Sequence, residues 1–165
     1  MSVYASRRLA VSAAAAAAML SLGSVVTGTP AAAATVVLNC SGSFTMTVGG
    51  IVAGATGSGD LQCESAGQRI SATISMQGSS ETSGSVTTTR TTDTITYSSG
   101  GTTELSVTRT FTIVGPPHVN EHGEGTTASG RFHPARSFEA GEGTAVVGEA
   151  TTFTIDSGYN FRLVQ

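Results

Sequence analysis

Apolar and polar residues alternate with a period of two along most of the chain, and this pattern restricts the possible folds more than any other feature. The period places side chains on two opposite faces of a strand, one buried and one hydrated. The residues expected to point inward are Phe44, Met46, Ile70, Ile74, Leu105, Val107, Phe111, Ile113, Phe153, Ile155, Phe161 and Leu163. Arg109 is the exception on that face, since it lies between Val107 and Phe111. The alternation therefore predicts an antiparallel, all-β protein.

Gly-, Pro- and Ser-rich segments separate the alternating runs and have the composition of turns. These segments are Gly49-Gly50, Gly57 to Asp60, Ser99 to Gly101, Gly115 to Pro117 and Asp156 to Gly158. Short strands at this spacing predict an antiparallel barrel of about eight strands, because closure removes exposed sheet edges. A β-sandwich is the alternative. The polar run Thr87 to Thr92 specifies its register only weakly.

The first 34 residues have the features of a secretion signal. Arg7 and Arg8 precede an apolar segment, and the small residues Ala31 to Ala34 follow Pro30. The apolar segment is too short and too weakly apolar to predict a membrane span. We therefore expect residues 1–34 to be a cleaved signal peptide of the general export route, and residues 35–165 to form a single all-β domain.

The two cysteines, Cys40 and Cys63, both lie in the predicted mature chain. An even number of cysteines in an exported protein indicates a disulfide. No C-x-x-C spacing is present that would favour a metal site. We expect one Cys40–Cys63 bond that joins the first strand to the start of the third.

Charge excludes one class of partner. All eight basic residues are Arg, and the predicted mature chain retains six of them against eleven Asp and Glu, a net charge of −5. Nucleic-acid binding requires a basic face, so no nucleic-acid partner is expected. Sugar binding usually uses exposed aromatic platforms, and the chain has no Trp and few Tyr, so a sugar-binding module is also disfavoured.

One segment matches the inverted zinc-protease pattern H-x-x-E-H: His118-Val119-Asn120-Glu121-His122. That pattern binds metal on a helix, where both His share a face. Here Pro116-Pro117 precede it and Gly123 follows it, which predicts a solvated loop. We expect no metal and no cofactor, although the segment alone does not exclude weak metal binding.

A ten-residue pattern, E-x-G-E-G-T-x-x-x-G, occurs at residues 121–130 and again at 139–148. We interpret the two copies as similar turns, with a further turn at His133 to Arg136 between them. This interpretation predicts that Glu121, Glu124, Glu139 and Glu142 lie together at one end of the barrel. Solvated side chains are favoured there over a calcium site.

No catalytic residue is expected, because the chain has no G-x-S-x-G turn and no other signposted nucleophile. The repeated T-x-T segments, such as Thr108 to Thr112, share no fixed period and are interpreted as the hydrated faces of strands.

Four features together define a resemblance to a known group of proteins. They are the leader, the segment Leu38 to Gly42 around the first cysteine, the segment Gly59 to Cys63, and the late strand expected at Ser129 to Phe132. In these features the chain is similar to small exported β-barrel proteins of high-GC Gram-positive bacteria. The resemblance implies secretion and a barrel, and it implies no active site.

The sequence therefore favours a secreted, non-catalytic barrel that serves as a binding or cell-surface-associated module. Its partner would be a small ligand, held in the lumen if that is open, or a surface component. One alternative is a proteinase inhibitor that presents residues 115–121 as a Pro-stiffened loop. Another is a small secreted hydrolase.

Overall fold

The computed structural model describes residues 34–49 and 53–165, so nearly all of the predicted leader lies outside the described residues. The described chain forms eight strands that close into one antiparallel barrel in chain order. The strands are β1 (Val36–Gly49), β2 (Gly54–Ser65), β3 (Gln68–Ser83), β4 (Val86–Tyr97), β5 (Thr102–Gly115), β6 (His118–Gly130), β7 (Arg136–Val147) and β8 (Ala150–Val164). The all-β barrel prediction is confirmed, and the sandwich alternative is not the fold observed.

Pairing of β1 with β8 closes the barrel. The ladder extends past both strands, because the Thr35 N–H donates to the Gln165 carbonyl at 2.8 Å and the Gln165 N–H donates to the Thr35 carbonyl at 2.9 Å. Each strand pairs with its neighbours in sequence, so the described strands have no free sheet edge.

The lumen holds the core. Eleven of the twelve residues predicted to point inward are buried, and Ile113 is half-buried at the end of β5. The outward positions carry Ser and Thr, including those of the T-x-T segments, which are exposed or half-buried. The weakly specified run on β4 also alternates, with Thr87, Thr89 and Thr91 facing the lumen. Period two therefore identified the two faces of the sheet.

Two of the predicted turns lie inside strands instead. Ser99 to Gly101 and Pro116-Pro117 are connections, as expected, but Gly57 to Asp60 belongs to β2 and Asp156 to Gly158 belongs to β8. In β2, Gly59 lies opposite Phe44 of β1. A Cβ at Gly59 would approach the Phe44 Cβ to 2.6 Å, so glycine here permits close strand packing and does not form a turn.

A disulfide joins Cys40 to Cys63, as predicted. The two residues are direct partners in the β1–β2 ladder, and both are buried. The bond therefore links the first two strands, whereas the sequence placed Cys63 at the start of the third. The misplacement follows from the incorrect turn at Gly57 to Asp60.

Within residues 34–49 and 53–165, no helix is long and apolar enough to cross a membrane.

Candidate functional site

Five titratable side chains converge inside the barrel. Asp93 of β4, Arg109 of β5, Glu121 of β6, Glu139 of β7 and Tyr159 of β8 all point into the lumen. Their exposed fractions run from 0% for Arg109 and Asp93 to 3% for Glu121 and Tyr159. Charged groups are almost never buried this completely unless they are paired. We call these five residues the lumen charge cluster.

Arg109 is the centre of the lumen charge cluster. Its Nε and Nη2 donate to Glu139 at 3.1 and 3.0 Å, and Nη2 also donates to Asp93 Oδ2. Its Nη1 donates to Thr91 Oγ1 at 2.9 Å. The guanidinium carbon lies 5.6 Å from the centre of the Phe44 ring. All three guanidinium nitrogens are therefore engaged with other lumen side chains.

Charge pairing keeps this arginine ionised. Burial alone lowers the pKa of Arg109, but the carboxylates of Glu139 and Asp93 outweigh that effect and raise the pKa well above its ordinary value. A planar fork of five N–H donors suits two carboxylates and a hydroxyl at once.

Glu139 has a second donor. The Tyr159 hydroxyl donates to Glu139 Oε2 at 2.8 Å. Burial raises the pKa of Glu139, and Arg109 opposes that rise. Burial also raises the pKa of Tyr159 well above its ordinary value, with the charge of Glu139 acting in the same direction. Tyr159 is therefore a neutral hydrogen-bond donor over the range in which proteins are ordinarily handled.

Glu121 differs from the other two carboxyls. Both of its side-chain oxygens are buried, and neither has a hydrogen-bond partner in the described protein. Burial, followed by repulsion from Glu139, raises the pKa of Glu121 to about 8, despite attraction from Arg109. At neutral pH this side chain is therefore a neutral acid.

The sequence echo has a structural explanation that differs from the one expected. Residues 121 and 139 do not begin turns, since both lie within strands, β6 and β7. Glu121 pairs with Gly141, and Gly123 pairs with Glu139, so the two copies are related by a local two-fold axis through the His122–Ala140 pair. A Cβ at Gly123 would lie 2.6 Å from Glu139 Cγ, and glycine therefore leaves room for the glutamate of the neighbouring strand.

The predicted acidic rim is therefore wrong. Glu121 and Glu139 point into the lumen, whereas Glu124 and Glu142 point outward, because residues three apart on a strand occupy opposite faces. The turn predicted at His133 to Arg136 is confirmed in part: residues 131–135 connect β6 to β7, but Arg136 already begins β7. No group of three or more His, Cys, Asp or Glu is arranged to hold a metal ion among the described residues.

The H-x-x-E-H segment also lies on a strand and not in a loop. His118 and His122 of β6 are exposed on the outer face, while Glu121 is buried on the opposite face. Period two on a strand separates residues three apart, so these three side chains cannot bind one ion. His122 Nε2 instead lies 3.7 Å from Glu124 Oε1 on the same outer face.

Neighbouring side chains fill the lumen around the cluster. Phe111 and Phe153 stack with ring centres 4.4 Å apart, and the Phe44 ring meets Tyr159 edge-on at 5.1 Å. The Ser137 hydroxyl, a possible nucleophile, is buried near Glu139 on β7. The three His side chains, which could act as a base, are all exposed outside the lumen. Among the described residues, the lumen charge cluster has no imidazole beside it, and its side chains are at most 3% exposed.

A groove lies on the opposite side of the sheet, over the outer face of β8, β1, β2 and β3. Its volume is about 460 Å³. The polar side chains that line it are Ser43, Thr45, Ser58, Asp60, Thr73, Ser75, Thr154 and Asp156. We call this surface the hydroxyl groove.

The sequence indicated only part of this arrangement. Arg109 stood out as a charge on an apolar face. Of its partners, Glu139 was interpreted as a turn residue, Thr91 as part of a weakly specified run, and Asp93 was not singled out. One signal was available in the sequence. Glu121 and Gly123 are two residues apart, as are Glu139 and Gly141, so on a strand each Glu lies on the same face as the glycine that follows it.

Comparison of the chain with protein-family models, with curated proteins and with solved structures found no match. Function is therefore inferred from the geometry described above.

Proposed function

We propose that this protein is a secreted, non-catalytic β-barrel that binds a polar ligand or a cell-surface component through its outer face. One observation carries the proposal. The lumen charge cluster is sealed inside a filled barrel, with Arg109 0% and Glu139 2% exposed. Catalytic groups must touch their substrate, and these residues are out of reach.

The filled lumen also argues against a carrier of small apolar molecules. Such carriers leave a cavity between the strands for the ligand. Here Phe44, Phe111, Phe153 and the Arg109 side chain occupy the centre of the barrel. These residues serve as a core, which leaves the outer surface for binding.

The hydroxyl groove is the best candidate for the binding surface. It presents hydroxyl donors and acceptors from four neighbouring strands, together with the two carboxylates Asp60 and Asp156. The chain lacks the aromatic platforms on which sugars usually stack, but this surface suits a ligand bound by hydrogen bonds alone, such as a cell-wall polysaccharide. The rigid barrel would hold these groups in fixed positions, which lowers the entropy cost of binding.

The disulfide supports the proposed location. A buried Cys40–Cys63 bond is consistent with an extracellular site of action, where disulfides persist. Secretion itself is inferred from the leader sequence.

The geometry does not favour the inhibitor alternative. Only Pro116 and Pro117 connect β5 to β6, and residues 118–121 already belong to β6. Val119 and Glu121 are buried in the lumen, so this segment does not present an extended loop to a proteinase.

A cosedimentation experiment tests the proposal. Mature protein is mixed with insoluble peptidoglycan and with cell-wall polysaccharides, and the bound fraction is compared with that of Ser58→Arg/Ser75→Arg, which fills the hydroxyl groove. Ser106→Arg/Thr108→Arg is the matched control, since it places the same charges on the outer face of β5. We expect the groove variant to bind at least tenfold more weakly, and the control to bind like the wild type.

Equal binding by all three proteins would remove the groove from the proposal. Turnover of ester or peptide substrates by the wild type would overturn the non-catalytic assignment.

A further inference from the structure

We propose that Glu121 is a proton-binding site in the barrel lumen, and that the fold is most stable in acid and weakens as the medium becomes neutral and then mildly alkaline. The inference is independent of the binding function proposed above. It concerns a group that neither the hydroxyl groove nor the pairing of Arg109 uses.

The first observation is a charge imbalance. The lumen charge cluster contains one guanidinium and three carboxyls. Glu139 and Asp93 accept from Nε and Nη2 of Arg109, Thr91 accepts from Nη1, and no hydrogen bond joins Arg109 to Glu121 in the described protein. If Glu121 were ionised together with both of these carboxylates, the lumen would hold two uncompensated negative charges. A proton on Glu121 removes one of them without moving any side chain.

The second observation is the absence of a partner for this carboxyl. Neither Glu121 oxygen accepts a hydrogen bond from the described protein, whereas Glu139 accepts bonds from Arg109 and Tyr159. The two glutamates are related by the local two-fold axis of β6 and β7, but their surroundings differ in donors. An ionised carboxylate that lacks donors in a buried site is far more costly than the neutral acid.

The titratable groups that face Glu121 come from four strands. Asp93 comes from β4, Arg109 from β5, Glu139 from β7 and Tyr159 from β8. The lumen faces of β1, β2 and β3 contribute apolar residues, glycines, hydroxyls and the disulfide, and none of these titrates. The charges around Glu121 are therefore two carboxylates, Glu139 and Asp93, against the single cation of Arg109.

The sign of the pH effect follows from these surroundings. The pKa of Glu121 is about 8 in the folded protein, against an ordinary value of 4.5. Between these values the folded chain holds a proton that the unfolded chain has released. The equilibrium constant for unfolding therefore rises about tenfold for each pH unit across this window, so stability is greatest at the acidic end and is lost as pH approaches 8.

Urea unfolding of the mature protein at pH 5, 6, 7, 8 and 9 tests this inference. The variants are Glu121→Gln and the matched control Glu124→Gln, whose side chain lies on the outer face of the same strand. The ratio of the wild-type unfolding constant to that of Glu121→Gln should rise about 10²- to 10³-fold between pH 5 and pH 8. Glu124→Gln should follow the wild type at every pH.

Parallel pH profiles for the wild type and Glu121→Gln would overturn the proposal. A second measurement does not depend on any variant. Carboxyl ¹³C shifts of the labelled wild-type protein should include one glutamate that titrates near pH 8. If every glutamate carboxyl titrated between pH 3 and 6, Glu121 would be an ordinary acid and the proposal would fail.

Discussion

The central arginine illustrates how a barrel this small accommodates charge. An isolated ion in a dry interior costs several kcal/mol, and the cost is recovered only when every donor finds an acceptor. Arg109 approaches this condition, because all three of its guanidinium nitrogens donate to Glu139, Asp93 or Thr91. The ion pairs therefore act as part of the core, and removing the single cation leaves an uncompensated buried charge.

Replacement of Arg109 by Met should destabilise the protein by about 3–5 kcal/mol, the usual effect of breaking a buried ion pair from one side. Urea unfolding at pH 7 measures the change. Arg136→Met is the matched control, because the Arg136 side chain is 66% exposed. Its effect should stay within about 0.5 kcal/mol. A loss below about 1 kcal/mol for Arg109→Met would mean that the observed pairing contributes little to stability.

The burial of Glu121 and Glu139 was not predictable from the sequence in the way that the position of Arg109 was. Arg109 was recognisable because a charge interrupts an apolar face. Glu121 and Glu139 were not, because nearby glycines predicted turns. Their positions in the lumen depend on the register of β6 against β7, in which Glu121 lies opposite Gly141 and Glu139 lies opposite Gly123. Register across a hairpin of polar and glycine residues is weakly encoded in a single strand.

At the scale of strands, the disulfide reinforces one ladder. Cys40 and Cys63 are register partners in β1 and β2. The bond closes a chain segment that contains the β1–β2 connection, and it restricts the unfolded state more than it shapes the folded one.

The variant Cys40→Ala/Cys63→Ala should lose about 3 kcal/mol of unfolding free energy, from the chain-entropy estimate for a loop of this length. Alanine is preferable to serine because both positions are buried, and a buried hydroxyl would add its own cost. Thermal unfolding measures the loss. An unchanged melting temperature would show that the unfolded chain is not restricted by the bond.

The stacked ring pair between β5 and β8 is the second feature at this scale. Phe111 and Phe153 pack face to face, with both side chains 0% exposed. Truncation of Phe153 to Ala should cost about 3–5 kcal/mol, because the filled lumen leaves little room for collapse. Val146→Ala on β7 is the control, since Val146 is 70% exposed. Similar losses for the two variants would contradict the packed lumen.

For the whole molecule, much of the architecture was predictable. Period-two alternation identified the strand class and the lumen face, and closure was expected because an open sheet leaves sticky edges. The number of strands could be estimated only approximately, since Gly57 to Asp60 and Asp156 to Gly158 are strand residues with turn-like composition. Strand packing and β-bulges use the same glycines as turns, so composition does not distinguish them.

Cleavage after Ala34, as the leader predicts, would leave the whole described barrel in the mature chain. The mature chain would begin at Thr35, whose backbone already pairs with Gln165 in the β1–β8 ladder. Cleavage at this point would keep the described strands whole. Intact-mass analysis of protein from culture medium should give a chain of residues 35–165. A start more than a few residues away, or retention of Arg7 and Arg8, would contradict the predicted site.

The barrel is closed and its buried side chains occupy the lumen, and we propose that it acts through its outer face. A crystal structure of the mature protein at high resolution would test whether the lumen is filled. We expect eight strands closed through β1 and β8, with Arg109 bonded to Glu139 and Asp93 and with no cavity large enough for a ligand. An open lumen, a bound molecule within it, or a channel from solvent to Glu121 would contradict the account.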